Sequence, residues 1–361
     1  MPHDSSVSTQ QPSALTSADS PPSPMPDTPA KIFSAGTQFS HRTSKEQTSL
    51  SFRTVVGYHA DCDDGFGAAF VAWLAMGARG RYLGLRYGAD NLARLGDVKD
   101  EDVFIIDFSL TNQEVEALVK RGAKSVTILD HHLSAMKIWQ GYGYDAISSD
   151  HMYTFISNGI TVCFDMQHSG AMLAWQYFFP EDPPSDLIEY VQDNDLWRHY
   201  LPGSRQVTRY IRAHPFSFEV WDDLNKKHVD EMIAGGELLE KYHFTQIDMM
   251  KRLSPPYEII LEQATEPGRS IPWPGLVINA TKTYASDLGH QLAEESKTFG
   301  ACWYMVDRHT VEVSLRSVGE FDVSAIARHY GGGGHKNAAG FRMAANVFLK
   351  LLASPPLRPA A

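Results

Sequence analysis

From Thr54 onward, short apolar runs alternate with stretches whose apolar residues recur at helical spacing. Thr54–Tyr58, Arg81–Tyr87, Val103–Asp107 and Val126–Leu129 read as strands. Gly65–Gly77 lies between the first two and places Phe66, Phe70, Trp73 and Leu74 on helical turns. Thr111 with Glu114 has the spacing of a capping box, which predicts a helix start there. Short apolar strands separated by helices predict a mostly parallel sheet covered on both faces. Ser169–Phe179 and Asp186–Gln192 read as helices, and periodicity is weak from Trp197 to Phe218. Glu231–Lys251 reads as one long amphipathic helix carrying Met232, Leu238, Leu239, Tyr242 and Ile247, able to bridge two lobes and ended by Pro255-Pro256. From Tyr257 the pattern restarts. Glu258–Glu262 and Leu276–Ala280 read as strands, Ser286–Ser296 as a helix, and Ala301–Val306 with Val311–Leu315 as a hairpin. A helix at Val323–His329 leads into Gly331-Gly332-Gly333-Gly334-His335.

The fold class expected is α/β: an N-terminal mostly parallel sheet covered by helices, a linker helix, and a smaller C-terminal α/β lobe. The expected boundaries are 53–230, 231–256 and 257–350, with tails at 1–50 and 351–361. The 361 residues, 43% of them hydrophobic, suffice for two cores. Of the first 50 residues, 24 are Ser, Thr or Pro, too polar to offset ordering entropy, so that segment is expected to be disordered. It has no apolar h-region, and Asp4, Asp19 and Asp27 argue against a transit peptide. No apolar run reaches the ~18 residues of a membrane span. The net charge of −11 argues against a broad basic footprint for long nucleic acid. Cys62, Cys163 and Cys302 are scattered, which suits a reducing, cytoplasmic setting.

The chemistry gathers at strand ends. Ser125–His132 reads Ser-Val-Thr-Ile-Leu-Asp-His-His, a buried strand that runs out on Asp130, His131 and His132. The run from Val55 ends in His59-Ala60-Asp61-Cys62-Asp63-Asp64-Gly65, and that from Asp102 ends on Asp107. Asp193-Asn194-Asp195 follows the amphipathic stretch Leu187–Val191. In an open α/β sheet, ligands bind where strands end. Carboxylates with imidazoles suit Mn²⁺ or Mg²⁺ better than structural zinc, and a cluster this large can hold the two ions of a phosphoryl-transfer centre. The four glycines let backbone N–H groups approach an anion. Each part has a plainer reading: Asp107 as a helix N-cap, Asp-Asn-Asp as a turn, the glycines as a flexible bend, and Arg316 as one half of a strand ion pair.

Taken together, Asp130-His131-His132, Asp107, the Asp-Gly at Asp64-Gly65, Val313-Ser314-Leu315-Arg316-Ser317, Asp322-Val323-Ser324 and the Gly331–Phe341 segment resemble the DHH phosphoesterase superfamily with its C-terminal DHHA1 domain. The resemblance spans almost all of Thr54 to Lys350. It implies two lobes facing a cleft, two Mn²⁺ ions (Mg²⁺ or Co²⁺ as substitutes), and hydrolysis of phosphoester bonds by two-metal hydroxide attack. It makes Asp107 the shared carboxylate, His59 and His131 ligands, His132 a phosphate contact and Asp130 a carboxylate orienting a histidine. Asp193 is the choice for the last acidic ligand, with Asp195 as fallback. The first motif departs from the family pattern. Asp64 is favoured as a ligand with Asp61 supplying a second carboxylate, while Asp63 and Cys62 stay open. Arg316 and His335 would stabilise charge, and Ser317, Gly332, Gly333, Gly334, His335 and Asn337 would bind substrate. The expected substrate is a short oligonucleotide, a linear or cyclic dinucleotide or a 3′-phosphonucleotide, with a homodimer left open. An inorganic pyrophosphatase and a non-catalytic nucleotide-binding scaffold are the alternatives.

Overall fold

The computed structural model describes residues 54–141, 147–149, 151–266 and 269–353; both expected tails lie largely outside them. The N-terminal part begins β1 (Thr54–His59), α1 (Asp63–Met76), β2 (Gly80–Leu85), α2 (Asn91–Leu95), β3 (Asp102–Ile106), α3 (Asn112–Lys120), β4 (Ser125–Asp130) and α4 (Leu133–Trp139). It continues with β5 (Ile147–Ser148), β6 (Met152–Ser157), β7 (Ile160–Asp165), α5 (Gly170–Phe178), α6 (Asp186–Asp195), α7 (Ser204–Arg212) and α8 (Phe218–Asn225). Helix α9 (Val229–Leu253) precedes β8 (Tyr257–Glu266), β9 (Arg269–Asn279), α10 (Ala285–Ser296), β10 (Phe299–Met305), β11 (Thr310–Ser317), α11 (Val323–His329), β12 (Gly333–Gly334), β13 (Ala338–Ala344) and α12 (Ala345–Ala353).

The first sheet has the order β2-β1-β3-β4-β7-β6-β5. Its β2, β1, β3, β4 and β7 are mutually parallel, and β6 and β5 add an antiparallel edge. The central strands are apolar on both faces: Val103, Ile105, Val126, Ile128 and Val162 on one face and Ile106, Leu129 and Cys163 on the other are fully buried. Such two-sided burial is what helices on both sides of a parallel sheet require. The chain leaves β1 outward to β2, then crosses back to β3, so strand order reverses between β1 and β3. That reversal opens a crevice at the C-terminal strand edge, where His59 and Asp107 stand.

The predicted capping box at Thr111 and Glu114 forms in both directions, fixing the start of α3. Strands β10 and β11 pair antiparallel as the predicted hairpin. Some elements carry weaker signals. Helix α7 lies in the stretch of weak periodicity, and its burial is unusual: Arg209 is buried among charged partners. The β6–β7 hairpin turns at Asn158-Gly159, both at positive φ, the requirement of a tight two-residue turn. Helix α12 runs to Ala353, past the point at which the tail was expected to begin.

The second sheet, β12-β13-β11-β10-β9-β8, is antiparallel except where β9 pairs parallel to β10. Val311, Val313, Leu315, Phe299 and Phe348 fill its core. Helix α9 joins the two sheets. Its first half crosses α7 so closely that a Cβ on Gly236 would lie 1.9 Å from the Gln206 carbonyl oxygen. Its second half packs Ile247 with Ile278, Leu288, Leu292 and Cys302 of the C-terminal lobe.

A buried ionic knot ties the same three helices. Asp287 of α10 accepts hydrogen bonds from Arg205 (2.9 Å) and Arg209 of α7, and pairs with His243 Nε2 of α9 at 3.0 Å. Burial pushes the Asp287 carboxyl up, but the bond with His243 and the Arg209 charge outweigh it and hold the group far below its ordinary range. A carboxyl lowered on folding stabilises the native state above its unfolded value of ~4, and that stability is lost as pH falls through that value toward the folded one. Asp287→Asn leaves Arg209 buried without a counter-charge and is expected to cost about 3 kcal/mol at neutral pH. Denaturant titrations at several pH values check this: the wild-type chain should lose stability below pH ~4, and the variant should lack that part of the loss.

Candidate metal and phosphoester site

At the C-terminal edge of the first sheet, side chains from β1, α1, the ends of β3 and β4, and the end of α6 converge. His131 Nε2 lies 3.1 Å from Asp107 Oδ1, 3.5 Å from Asp64 Oδ2 and 3.5 Å from Asp195 Oδ2. His59 Nδ1 lies 3.4 Å from Asp107 Oδ2. Donor atoms of Asp64, His131 and Asp195 all fall within 4.8 Å of one another, and so do those of His59, Cys62 and Asp107. Asp107 therefore stands between two donor groups. Its backbone is in the left-handed region at φ 51°, a strained setting for a buried non-glycine residue and one that recurs at functional sites.

Two glycines make the approach of these elements possible. A Cβ on Gly65 would lie 2.2 Å from the His59 carbonyl oxygen, and one on Gly170 would lie 2.4 Å from the Asp107 Cβ. The N-terminus of α5 presses directly on Asp107 while its first amides serve Asp64: Gly170 N–H donates to Asp64 Oδ2 (2.6 Å) and Ala171 N–H to Oδ1 (2.9 Å). The helix N-terminus offsets part of that carboxylate's charge. Sequence reasoning missed this role; the Ser169-Gly170 pair opening a predicted helix was its one visible sign.

The electrostatics are crowded. Burial pushes the Asp64 carboxyl well up, and the neighbouring charges of Asp107 and Asp195 push it further. Burial also raises Asp107, but its interactions with the His131 and His59 imidazoles prevail and hold it well below the usual range. Burial lowers His131, yet its bond with Asp107 and the surrounding carboxylates lift it well above the usual imidazole value. Asp107 Oδ2 is buried without a hydrogen-bond partner. Two buried carboxylates (Asp64 and Asp107), the half-buried Asp195 and an orphaned oxygen around one imidazole form a donor set with excess negative charge, which fits divalent cations.

Beside this cluster, Asp130 Oδ1 receives His132 Nδ1 at 2.6 Å and the His131 N–H at 2.8 Å. A carboxylate on Nδ1 places the proton there and leaves Nε2 for a ligand. The His335 ring, carried in on the loop between β12 and β13, stacks on His132 at 4.8 Å between centroids and lies 5.1 Å from His131. The second lobe thus reaches the first lobe's site. Burial, then the charges of His132 and His131, push the His335 imidazole well below its usual value.

The glycine loop lies close by. Gly333 is within 3.8 Å of Ser134 Oγ measured from an added Cβ, Gly334 has φ 136°, and a Cβ on Gly332 would meet the Gly340 carbonyl oxygen at 2.1 Å. Ser317 and Asn337 bind each other: Asn337 Nδ2 donates to Ser317 Oγ (2.9 Å) and to the Gly319 carbonyl (3.1 Å). Their visible role is to brace that loop. Arg316 donates to Ser286 Oγ and to the Leu315 carbonyl.

Other expected residues point elsewhere. Asp61 is exposed and pairs with Arg86 at 2.7 Å, and Asp63 pairs with Arg212 at 2.5 Å. Asp193 is buried but accepts the Tyr200 N–H (2.9 Å) and the Leu201 N–H (3.3 Å), holding a turn in which Trp197 and His199 have positive φ. Asp195, the fallback, is the member of the pair that faces His131. Residues two apart on a helix diverge by about 200°, so only one of them can face the cluster. A groove of about 350 Å³, lined by Tyr87, Phe108, Ser134, Ile138 and Trp139 among others, adjoins the cluster. Tyr87 is 54% exposed, and its ring lies 5.6 Å from His59 and 4.5 Å from Phe108.

The chain is similar to several known proteins. Residues 280–354 match the model of the DHHA1 domain. The uncharacterized protein R106 of Acanthamoeba polyphaga mimivirus is 29% identical over 311 residues, 79% of this chain and 66% of that protein. The oligoribonuclease NrnB of Bacillus subtilis (strain 168) is 23% identical over 317 residues, 82% of this chain and 75% of NrnB. Among solved structures, RecJ from Thermus thermophilus in complex with Mn²⁺ aligns at 15% identity and TM-score 0.46, over 83% of this chain and 51% of RecJ. The pGpG-specific phosphodiesterase PggH from Vibrio cholerae aligns at 12% identity and TM-score 0.40, over 84% of this chain and 97% of PggH. The C-terminal lobe is a DHHA1 domain. Beyond that domain, the chain is similar over most of its length to an oligoribonuclease.

The two aspartates of α6 are separable by experiment. Asp193→Ala is expected to lower stability by about 1–3 kcal/mol, since two buried N–H groups lose their acceptor, while Mn²⁺ binding survives. Asp195→Ala should keep the thermal midpoint and lose Mn²⁺ affinity. Thermal unfolding paired with calorimetric metal titration distinguishes them.

Proposed function

We propose that this protein is a metal-dependent phosphoesterase acting on short nucleotide substrates: oligonucleotides of a few residues, dinucleotides or 3′-phosphonucleotides. The observation that carries the reading is the split site, with Asp64, Asp107, Asp195 and His131 of the first lobe capped by His335 of the second. Asp107, Asp64, Asp195, His131 and His59 are the residues proposed to hold two divalent ions, with Mn²⁺ as the proposed cofactor and Mg²⁺ or Co²⁺ as substitutes. Such ions, when bound, supply positive charge to the phosphate and acidify coordinated water.

The chain's own groups do the rest. His132, locked by Asp130, directs Nε2 toward a non-bridging phosphate oxygen. His335 approaches the same oxygen from the opposite lobe, and the glycine loop presents backbone N–H groups with little steric hindrance. The Tyr87–Phe108 groove takes the nucleoside part of the substrate, with Tyr87 stacking a base. The acidic chain offers little attraction for a long polyanion, which favours short substrates.

The test is a panel of a two-to-five-nucleotide RNA, linear and cyclic dinucleotides, 3′-phosphoadenosine 5′-phosphate and pyrophosphate, each with Mn²⁺ and with chelator. Chelator-sensitive release of mononucleotide is expected. Turnover of pyrophosphate alone would replace the reading with a pyrophosphatase, and ion binding without turnover would leave a nucleotide-binding scaffold. Asp130→Asn is expected to reduce turnover about 10- to 100-fold through the loosened His132. Tyr87→Ala should raise KM for a dinucleotide by about tenfold or more and leave KM for a base-free phosphodiester nearly unchanged, as steady-state kinetics on both substrates would show.

A further inference from the structure

The segment His59–Gly65 offers four candidate donors after its histidine, and their surroundings separate them. Asp61 turns outward to Arg86, and Asp63 is held by Arg212. Asp64 faces the hard cluster with His131 and Asp195. The side chain left facing His59 and Asp107 is that of Cys62, whose sulfur lies within 4.8 Å of a donor atom of each.

Two independent observations point to a ligand there. Asp107 is only 1% exposed, yet its Oδ2 has no hydrogen-bond partner; His59 Nδ1 lies 3.4 Å away and is likewise buried without a hydrogen bond. Cys62 occupies the N-cap of α1 in an extended conformation (φ −133°, ψ 137°) but makes no capping bond. Ser, Thr, Asp or Asn would serve a helix start better, so local helix stability gives no reason for a cysteine at this position.

We propose that Cys62 is a thiolate ligand, so that the centre has two chemically unlike ion positions. The position built by His59, Cys62 and Asp107 takes a softer divalent ion such as Co²⁺ or Zn²⁺. The position built by Asp64, His131 and Asp195, sharing Asp107, takes a hard ion such as Mn²⁺ or Mg²⁺. Binding at the first position forms one metal–sulfur bond and releases the thiol proton to solvent, with no change of oxidation state. The inference rests on the metal-centre reading above and adds to it a preference written into one side chain.

The experiment is Co²⁺ titration of the full chain, stripped by chelator and kept under reductant, followed by near-ultraviolet and visible absorption with bound cobalt counted by elemental analysis. The expected result is a sulfur-to-cobalt charge-transfer band that grows with the first equivalent and is lost in Cys62→Ser, while Cys163 and Cys302 remain. In Cys62→Asp the band should be lost and two cobalt ions should still bind, with competition between Zn²⁺ and Mn²⁺ shifted toward Mn²⁺. Two bound cobalt ions with no such band, or a band that survives in Cys62→Ser, overturns the role of Cys62 and leaves the metal-centre reading standing. A folded chain that binds no cobalt at all overturns both.

Discussion

Negative charge forced together at one sheet edge is the constraint around which the first lobe is organised. Asp64, Asp107 and Asp195 are brought within reach of one imidazole, His131, in a region from which water is largely excluded. Uncompensated, such a grouping is costly. The fold answers locally with the amides that open α5, aimed at Asp64, and with the hydrogen bond from His131 to Asp107. What these devices leave over, including an unpaired oxygen on Asp107, is a demand for positive charge that a divalent ion would satisfy. Topology explains why the demand arises here: the reversal of strand order between β1 and β3 leaves a crevice at the ends of those strands, and the carboxylates line it.

The second lobe completes the site without contributing to that charge. It brings the His335 imidazole and a glycine loop, which would suit a phosphate approached by cations from the other side. For that division of labour to work, the lobes must meet in a fixed relation. Helix α9 packs on α7 at one end and on α10 at the other, and the Asp287 knot crosses the same junction. A buried ion pair is a poor source of net stability, but it tolerates few alternative geometries. Its place beside the lobe junction suits it to set register.

Much of this was legible in the sequence. Strand ends carrying His59, Asp107 and Asp130-His131-His132 were visible because a buried parallel strand is a nearly uninterrupted apolar run, and its polar terminus stands out. The capping box of α3 and the hairpin of β10 and β11 were visible for similarly local reasons. What escaped was tertiary. The ligand geometry of His59–Gly65 depends on which carboxylates find distant arginines, Arg86 from β2's end and Arg212 from α7, and no spacing rule reveals that. Asp193 and Asp195 are equivalent on paper, and helical phase together with a turn of positive-φ residues separates them. Helix α7 gives little periodic signal because it is short and mostly charged or polar, with Val207 and Ile211 as its buried aliphatic residues and Arg209 buried beside them.

The side chain that Gly170 lacks governs how Asp107 is held. With no Cβ in the way, the start of α5 rests against the Asp107 side chain, which is fixed by packing as well as by hydrogen bonding. A carboxylate immobilised by contact keeps an oxygen free. The rotational entropy such a group must lose to act as a ligand is lost when the chain folds, before any ion arrives. A cation arriving there would meet a side chain already at rest, and more of the attraction between them would appear as affinity.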